Sequence, residues 1–210
     1  MENIYDKLEI PDARRDTSIT KQEAEYIYQF LSEKKINTSL EVGFAFGCST
    51  AHIMAATNST HYTIDPFQKE DFGDLGLKNI NALGYSKLLK FENDYSHSVL
   101  PKLLKEEVKL DFAFIDGGHN FDSIFIDFYY VDLLLNNNGW VLLHDTWMRS
   151  TQYAFSWIKR NKKNYKEIKT PVKNFILLQK IGEDNRTWFH FKGFCTFKSM
   201  YSNWKFSFKQ

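Results

Sequence analysis

Two stretches of the sequence decide most of the fold: AFIDGGHNFDSI at residues 113–124 and VLLHDTW at residues 141–147. Each is an apolar run that ends abruptly on an acid and a histidine. These four residues are Asp116, His119, His144 and Asp145. Runs that are apolar at consecutive positions predict strands buried on both faces, as in a parallel sheet covered by helices. The polar residues that end them predict a functional site at one edge of that sheet.

The neighbouring sequence alternates between strand and helix patterns. The run SLEVGFAFG enters a pair of glycines and is followed by the helical STAHIMAAT, while HYTIDPF and KLLKFEND predict two further strands. The segment SIFIDFYYVDLLL predicts a helix that stops at Asn136 to Gly139, and YKEIKT with NFILLQK predicts a terminal strand pair with an antiparallel edge. This alternation predicts a doubly wound, Rossmann-like α/β fold, with a mostly parallel sheet and helices on both faces.

The length of 210 residues favours a single domain over residues 1–210. Residues 1–37 form a predicted helical N-terminal extension, in which Thr20 and Glu23 have the spacing of a capping box. Residues 38–180 form the predicted cofactor-binding core. Residues 181–210 form an aromatic C-terminal tail, for which a hairpin packed on the sheet, a lid and a subunit contact in a homodimer are all open interpretations.

Composition excludes several classes of partner. With 27 Lys and Arg against 26 Asp and Glu, the net charge of +1 argues against nucleic acid as a partner. The polar N-terminus and the lack of a long apolar run predict a soluble, cytoplasmic protein without a membrane partner. Two cysteines, Cys48 and Cys195, are too few for a disulfide scaffold and are expected to be reduced.

The glycine loop after the first predicted strand distinguishes between cofactors. Its pattern is Glu41-x-Gly43-x-x-x-Gly47, whereas a dinucleotide fold would have G-x-G-x-x-G before a helix that receives a pyrophosphate. Glu41 would repel a pyrophosphate but suits a ligand that carries an ammonium group. The helix that starts near Ser49 offers free N–H groups, and Asp65, at the end of the second strand, suits the two hydroxyls of a ribose. A nicotinamide-dependent oxidoreductase is therefore the disfavoured alternative.

Five motifs occur in order over about residues 38–180: EVGFAFG, TIDPF, FENDYSH, FIDGGHNF and WVLLHDTW. They resemble the motifs of the class I S-adenosylmethionine-dependent methyltransferases. More narrowly, they resemble the small-molecule O-methyltransferase branch that includes family 24, with the macrocin-type sugar O-methyltransferases and the cephalosporin hydroxylase group as relatives. The resemblance implies S-adenosyl-L-methionine as cofactor and O-methylation of a small hydroxylated acceptor, such as a sugar or secondary metabolite. A non-catalytic or repurposed nucleotide-binding relative is a further alternative.

The resemblance also implies roles for individual residues. Glu41 and Gly43 would line the methionine part of the cofactor, Asp65 would hold the ribose, and Asp94 with Tyr95 would lie near the adenine. A plain tight turn at the glycines and a helix N-cap at Asp94 are the corresponding structural interpretations. The full predicted cofactor set is Glu41, Gly43, Gly47, Ser49, Asp65, Asp94, Tyr95 and Asp116.

The four acid and histidine residues allow two kinds of chemistry. Asp116 and Asp145 would end neighbouring strands, and with His144 they could hold Mg²⁺ or another divalent cation. Related metal-dependent enzymes have an acid after the fourth strand and an acid pair or Asp-Asn after the fifth, and His144 and Thr146 depart from that pattern. Alternatively, His119 or His144 takes the acceptor proton without a metal. A purely structural role remains a third interpretation.

Three other histidines show no comparable setting. His52, His61 and His97 are predicted to be surface or cap residues.

Overall fold

A computed structural model describes residues 4–195, 197–198, 200–201 and 204. Two short 3₁₀ helices, Tyr5–Lys7 and Asp12–Thr17, precede the main elements. The α-helices are α1 (Lys21–Ser32), α2 (Cys48–Thr57), α3 (Leu75–Ala82), α4 (Ser96–Lys105), α5 (Phe121–Leu134) and α6 (Arg149–Asn161). The strands are β1 (Thr38–Val42), β2 (Thr60–Ile64), β3 (Leu89–Glu92), β4 (Leu110–Ile115), β5 (Leu135–Leu143), β6 (Tyr165–Ile168) and β7 (Ile176–Lys180).

The strands form one sheet in the order β3-β2-β1-β4-β5-β7-β6. Strands β1 to β5 pair in parallel, whereas β7 lies between β5 and β6 and is antiparallel to both. The central strands are parallel because each is followed by a helical crossover, and β6 and β7 complete the antiparallel end that the sequence predicted. The fold class is therefore confirmed.

Alternating residues of the central strands face two separate cores. Phe112 and Phe114 of β4 pack with residues of α1 and α2, whereas Ala113 and Ile115 pack with residues of α4, α5 and α6. Both sets are almost completely buried. This alternation puts helices on both faces of the sheet and explains why the strand sequences are apolar without a break.

The predicted capping box at the start of α1 is confirmed. The backbone N–H of Glu23 donates to the Thr20 hydroxyl at 3.3 Å, and the Glu23 carboxylate accepts from the Thr20 N–H at 2.6 Å. The helix then buries Ala24, Ile27 and Leu31 in the core that it shares with β4. The helical extension is thus tied to the sheet by its apolar face.

The helix predicted to stop at residues 136–139 does end just before them, but these residues lie within a strand and not in a turn. Helix α5 ends at Leu134, and β5 begins immediately at Leu135, which pairs with Leu110. The register between β4 and β5 then shifts, and Asn138 adopts a φ of 67°. Five residue steps of β5, from Leu135 to Trp140, span only two steps of β4, from Leu110 to Phe112, so a strand irregularity of three extra residues contains the polar residues that resembled a turn.

The aromatic tail shows no hairpin within its described part. Residues 181–195 lie outside strands and α-helices, and residues 197, 198, 200, 201 and 204 are helical. The remaining positions of the predicted tail lie outside the described residues. Among the described residues, no helix combines the length and the apolar character needed to cross a bilayer.

Candidate active site

The carboxyl ends of the parallel strands lie at the same edge of the sheet, called here the carboxyl edge. Gly43 follows β1, Asp65 follows β2 and Asp94 comes two residues after β3. Asp116 follows β4, and His144 follows β5. Because parallel strands end side by side, these residues from distant parts of the sequence collect at one edge.

The glycine loop after β1 is packed directly against the end of β4. Gly43 has a φ of 93°, and a Cβ atom added to it would lie 2.2 Å from the backbone oxygen of Asp116. Gly47 has a φ of 75° and is the N-cap of α2. Both glycines are thus required by the backbone, since other residues rarely adopt such φ values and position 43 has no space for a side chain.

Asp65 organises the glycine loop. Its Oδ2 atom accepts hydrogen bonds from the N–H groups of Phe44 at 3.0 Å and Ala45 at 2.9 Å, and its Oδ1 atom accepts one from Phe67 at 2.8 Å. The side chain is buried. Only one of these bonds involves Oδ1, so that oxygen keeps a lone pair for a ligand hydroxyl.

Glu41 lies behind the loop in a closed polar cluster. Its carboxylate accepts hydrogen bonds from the hydroxyls of Ser49 and Thr50, and the His61 Nε2 atom lies 3.4 Å from Oε2. His61 also contacts the Ser39 hydroxyl at 2.8 Å. Glu41 is fully buried and Ser49 nearly so. Protein groups therefore surround the carboxylate that the sequence suggested for direct contact with the cofactor.

The prediction of surface or cap positions is wrong for two of the three minor histidines. His61 faces Glu41 and Ser39 within the sheet, and the Nδ1 atom of His52 lies 2.7 Å from the backbone oxygen of Cys48. Both side chains are buried. Each has a polar partner inside the fold, and this contact offsets the cost of burying a polar ring. His97 is exposed, as predicted.

An exposed aromatic group lies at the carboxyl ends of β2 and β3. Tyr95 contacts Phe67 at 5.9 Å in an edge-on arrangement and stacks with His97 at 5.4 Å, measured between ring centroids. Tyr95, and not Asp94, is the N-cap residue of α4, while the Asp94 carboxylate accepts from the Tyr95 N–H at 2.7 Å. The N-cap interpretation of Asp94 is therefore wrong. The partly exposed ring of Phe67 was not predicted from the sequence.

The four acid and histidine residues of the opening motifs meet at the ends of β4 and β5. His144 Nδ1 lies 2.8 Å from Asp116 Oδ1 and 3.6 Å from Asp145 Oδ1, and His119 Nε2 lies 2.8 Å from Asp145 Oδ2. Asp145 has a φ of 50°, which is uncommon for a residue other than glycine. Such conformations persist where the surroundings impose them, often at functional sites.

Two residues that the sequence did not indicate complete the cluster. Glu23 Oε1 lies 3.2 Å from His144 Nε2, so the same side chain that caps α1 also reaches the strand ends. The Asn174 side-chain N–H₂ group contacts that nitrogen at 2.8 Å and Glu23 at 3.1 Å, while its oxygen accepts from the Thr146 N–H. His144 is therefore surrounded on both ring nitrogens.

Protonation in this cluster follows from burial and charge. Burial alone would lower the pKa of His144, but hydrogen bonds to Asp116 and Glu23 outweigh it and raise the pKa to about 10. Burial raises the pKa of Asp116 despite the neighbouring imidazole. Asp116 and His144 thus keep a proton between them at neutral pH. His144 in this state cannot accept another proton, which disfavours it as the general base.

His119 and Asp145 form a second, more accessible pair. Burial would raise the pKa of Asp145, but the hydrogen bond with His119 and the charge of His144 lower it to about 2. The same hydrogen bond raises the pKa of His119, which is about half exposed. The indole N–H of Trp147 donates to Asp145 at 3.0 Å. Among the described residues, no hydrogen bond to His119 Nδ1 is seen.

The cluster has the donor atoms of a metal site. Asp116, His144 and Asp145 each offer one ligand atom, and these atoms lie within 4.8 Å of one another. Two carboxylate oxygens with one imidazole nitrogen suit Mn²⁺, Fe²⁺ or Zn²⁺ better than Mg²⁺, which prefers oxygen alone. The site borders a small pocket whose lining includes His119, His144 and Thr151.

These features define a class of protein. A glycine loop after β1, acids after β2 and β4, and an antiparallel β7 inserted between β5 and β6 are the architecture of the class I methyltransferases. The family model described as a methyltransferase domain, family 24, matches residues 40–146, just over half of the chain. The chain therefore belongs to this methyltransferase family, and the resemblance seen in the sequence is confirmed.

Solved structures share the fold at low sequence identity. The O-methyltransferase TomG from Streptomyces achromogenes, involved in tomaymycin synthesis and solved with S-adenosylmethionine, has a TM-score of 0.70 at 15% identity, covering 87% of this chain and 91% of that chain. The Podospora anserina methyltransferase PaMTH1, solved with S-adenosylhomocysteine, has a TM-score of 0.72 at 14% identity, with coverages of 87% and 89%. An O-methyltransferase from Bacillus cereus, also solved with S-adenosylhomocysteine, has a TM-score of 0.67 at 12% identity, with coverages of 79% and 83%. Comparison with curated protein sequences finds no match.

Proposed function

We propose that the chain transfers the methyl group of S-adenosyl-L-methionine to an oxygen atom of a small hydroxylated acceptor, such as a sugar or secondary metabolite. The observation that carries this proposal is the double role of Asp116. Its backbone closes against Gly43 in the glycine loop, and its carboxylate contacts His144 at 2.8 Å. A methyl donor bound at the loop would therefore lie beside the acid and histidine cluster, where an acceptor hydroxyl can be held in line with the methyl group.

The residues fit the parts of the donor to different degrees. The positive φ values of Gly43 and Gly47 let the loop turn tightly beside the start of α2, and Asp65 Oδ1 has a lone pair for a ribose hydroxyl. The exposed rings of Tyr95 and Phe67 suit stacking on an adenine. Asp94, which holds the Tyr95 backbone, would position that ring.

Glu41 and Ser49 would act differently from their predicted direct contact. Because both are buried and bonded to each other, they would hold the start of α2 against β1 and so fix the shape of the loop. Asp116 remains a candidate for the ammonium group of the donor, since its carboxylate is at the adjacent strand end.

Asp116, His144 and Asp145 are the residues that would hold a divalent cation, as their donor atoms are close together and of suitable type. Such an ion, when bound, orients and acidifies the acceptor hydroxyl. In a reaction without a metal, His119 would accept the acceptor proton at Nδ1, with Asp145 holding the ring through Nε2. The nicotinamide alternative finds no support in the family assignment.

The test is transfer of labelled methyl from S-adenosylmethionine to a panel of hydroxylated sugars and aromatic alcohols. The Asp145→Asn variant should lose at least about 100-fold in rate, in the range of removing a group that orients a catalytic base or ligand. Asp16→Asn, an exposed acid outside the site, is the matched control. Transfer by the Asp145→Asn variant at the rate of the control would refute the assignment of the site.

Chelation separates the two mechanisms. If EDTA abolishes transfer and Mn²⁺ restores it, the cluster is a metal site. If EDTA has no effect and His119→Gln abolishes transfer, His119 is the base. If the panel shows no transfer and calorimetry detects no binding of S-adenosylmethionine, the proposed function is wrong.

A further inference from the structure

The end of the chain has a composition unlike the rest. Residues 188–210, called here the aromatic–lysine segment, contain nine aromatic residues and four lysines but no Asp or Glu. Across the whole chain, acidic and basic residues are nearly equal in number. A segment with aromatic side chains, lysines and no acids has a positive charge beside a large apolar area.

Most of the described aromatic residues of this segment are exposed, the exception being Phe194. Trp188 and Phe189 are 101% and 97% exposed, respectively. Farther along, the helical positions Phe197, Met200, Tyr201 and Trp204 have the spacing i, i+3, i+4 and i+7, which places their side chains on one face of a helix. All four are exposed, with Phe197 at 93%. Lys198 lies three residues before Tyr201 and therefore at the border of this apolar face.

The start of the segment is fixed to the body of the protein at the end of α6 and at the start of α5. The backbone of Lys192 exchanges two hydrogen bonds with the Asn161 side chain, at 2.9 and 3.0 Å, and Arg160 donates to the Gly193 oxygen at 3.1 Å. The Phe194 ring stacks on Phe121, with an angle of 3° and 6.2 Å between centroids. Phe121 is the first residue of α5, at the carboxyl edge. The segment is therefore tied to two helices of the folded domain, and its exposed aromatic residues lie before and after these contacts.

We propose that the described part of the aromatic–lysine segment is a docking surface for an anionic lipid membrane, on which the protein lies peripherally. Phe, Trp and Tyr side chains insert into the region between head groups and acyl chains, where an apolar body and a polar tip are both accommodated. Lysines beside them are attracted to anionic head groups. This inference departs from the expectation, based on overall charge, that a membrane is no partner.

Charge distinguishes this occupant from a second copy of the chain. In a symmetric dimer the same patch packs on itself, so Lys192 and Lys198 of one copy would approach the lysines of the other. The segment contains no acidic residue that would neutralise them. An anionic lipid surface supplies that neutralising charge, whereas a second copy supplies more positive charge.

The experiment is sedimentation of the full chain with vesicles of phosphatidylcholine alone or with phosphatidylglycerol added. We expect binding to the anionic vesicles that falls as salt is raised. A lysine at such a surface strengthens partitioning about fivefold, so Lys192→Glu with Lys198→Glu should weaken it by roughly 25-fold or more. Lys163→Glu with Lys166→Glu, two exposed lysines outside the segment, is the matched control and should weaken it far less.

The apolar contribution is tested separately. Phe197→Ser with Trp188→Ser should reduce partitioning to both kinds of vesicle, whereas Tyr129→Ser, an exposed aromatic residue on α5, should not. Circular dichroism verifies that each variant is folded. Failure of the wild-type chain to sediment with anionic vesicles would overturn the proposal. So would a dimer in light scattering that the segment variants abolish while vesicle binding is unchanged.

Discussion

Replacing Gly43 with alanine adds one methyl group at the point where the glycine loop meets β4. The new Cβ atom would lie 2.2 Å from the oxygen and 2.8 Å from the carbon of the Asp116 backbone carbonyl. Contacts under 3.0 Å require a shift, and here the neighbour is backbone of a buried strand end, which has no flexible side chain to move. The loop and β4 must therefore separate.

The cost has two parts. A residue with a Cβ atom at positive φ costs about 1–2 kcal/mol, and forcing a methyl group into a packed site costs about 1–3 kcal/mol more. The Gly43→Ala variant should thus be destabilised by about 2–5 kcal/mol. Gly73 also has a positive φ, 58°, but a Cβ atom there would meet nothing within 4 Å. Gly73→Ala should therefore cost only about 1–2 kcal/mol.

Urea denaturation of both variants and the wild type gives the two free energies of unfolding. Calorimetry at a temperature where Gly43→Ala is folded then measures its affinity for S-adenosylmethionine, which should fall strongly, while Gly73→Ala should bind like the wild type. The reasoning would be refuted if the two variants were equally stable and bound the donor equally well, because the close approach at Gly43 would then have no role.

Three other predictions concern charge in buried places. Burial of the Asp127 carboxylate raises its pKa to about 6. The folded state holds this proton more tightly than the unfolded state, so ionisation of Asp127 lowers the free energy of unfolding. This loss of stability is absent below pH 4 and complete above pH 6. Asp127→Asn should therefore gain up to about 3 kcal/mol over wild type between pH 4 and pH 7 in urea denaturation. A difference in the free energy of unfolding between the variant and the wild type that stays constant over this pH range would contradict the prediction. The pKa of His144, raised to about 10, predicts stability that is complete below pH 6.5 and lost toward pH 10. The pKa values of Glu23 and Asp145, lowered to about 2, predict stability that is complete above pH 4.5 and lost toward pH 2. Thermal unfolding measured across pH would test both the alkaline and the acidic loss of stability. A melting temperature that does not change with pH would contradict both predictions. Finally, Glu23→Gln keeps the capping geometry but removes the charge facing His144, so the pKa of His144 in an NMR titration should fall. An unchanged titration would show that Glu23 does not act on the histidine.

Local patterns in the sequence were sufficient for most of the fold. Strand β4 is apolar at consecutive positions because helices cover both of its faces, so its parallel, central place could be predicted. Local patterns also predicted the end of α5, but they did not predict that residues 136–139 belong to a strand. There, three asparagines and a glycine resemble a helix stop, but pairing of Leu135 with Leu110 extends the strand through them. Pairing partners are set by tertiary structure, which a local pattern does not contain.

The site was predictable as far as strand ends define it. Asp116 and His144 lie close together because they follow β4 and β5, which are neighbouring parallel strands. The contribution of Glu23 to the site was not predicted, because the capping box already explained an acid at this position. Its second carboxylate oxygen nevertheless contacts His144, 121 residues away. Asn174 was missed because nothing in the run before β7 marks it. Glu41 was placed at the ligand because an acid near the end of β1 suits an ammonium group, whereas the fold encloses its carboxylate with hydroxyls from α2.

The most direct test of the central claim is isothermal titration calorimetry of the chain with S-adenosylmethionine and S-adenosylhomocysteine. The account predicts that both bind at one site per chain, and that Gly43→Ala loses both. Absence of heat with either compound, in a folded wild-type protein with and without Mn²⁺, would contradict the account.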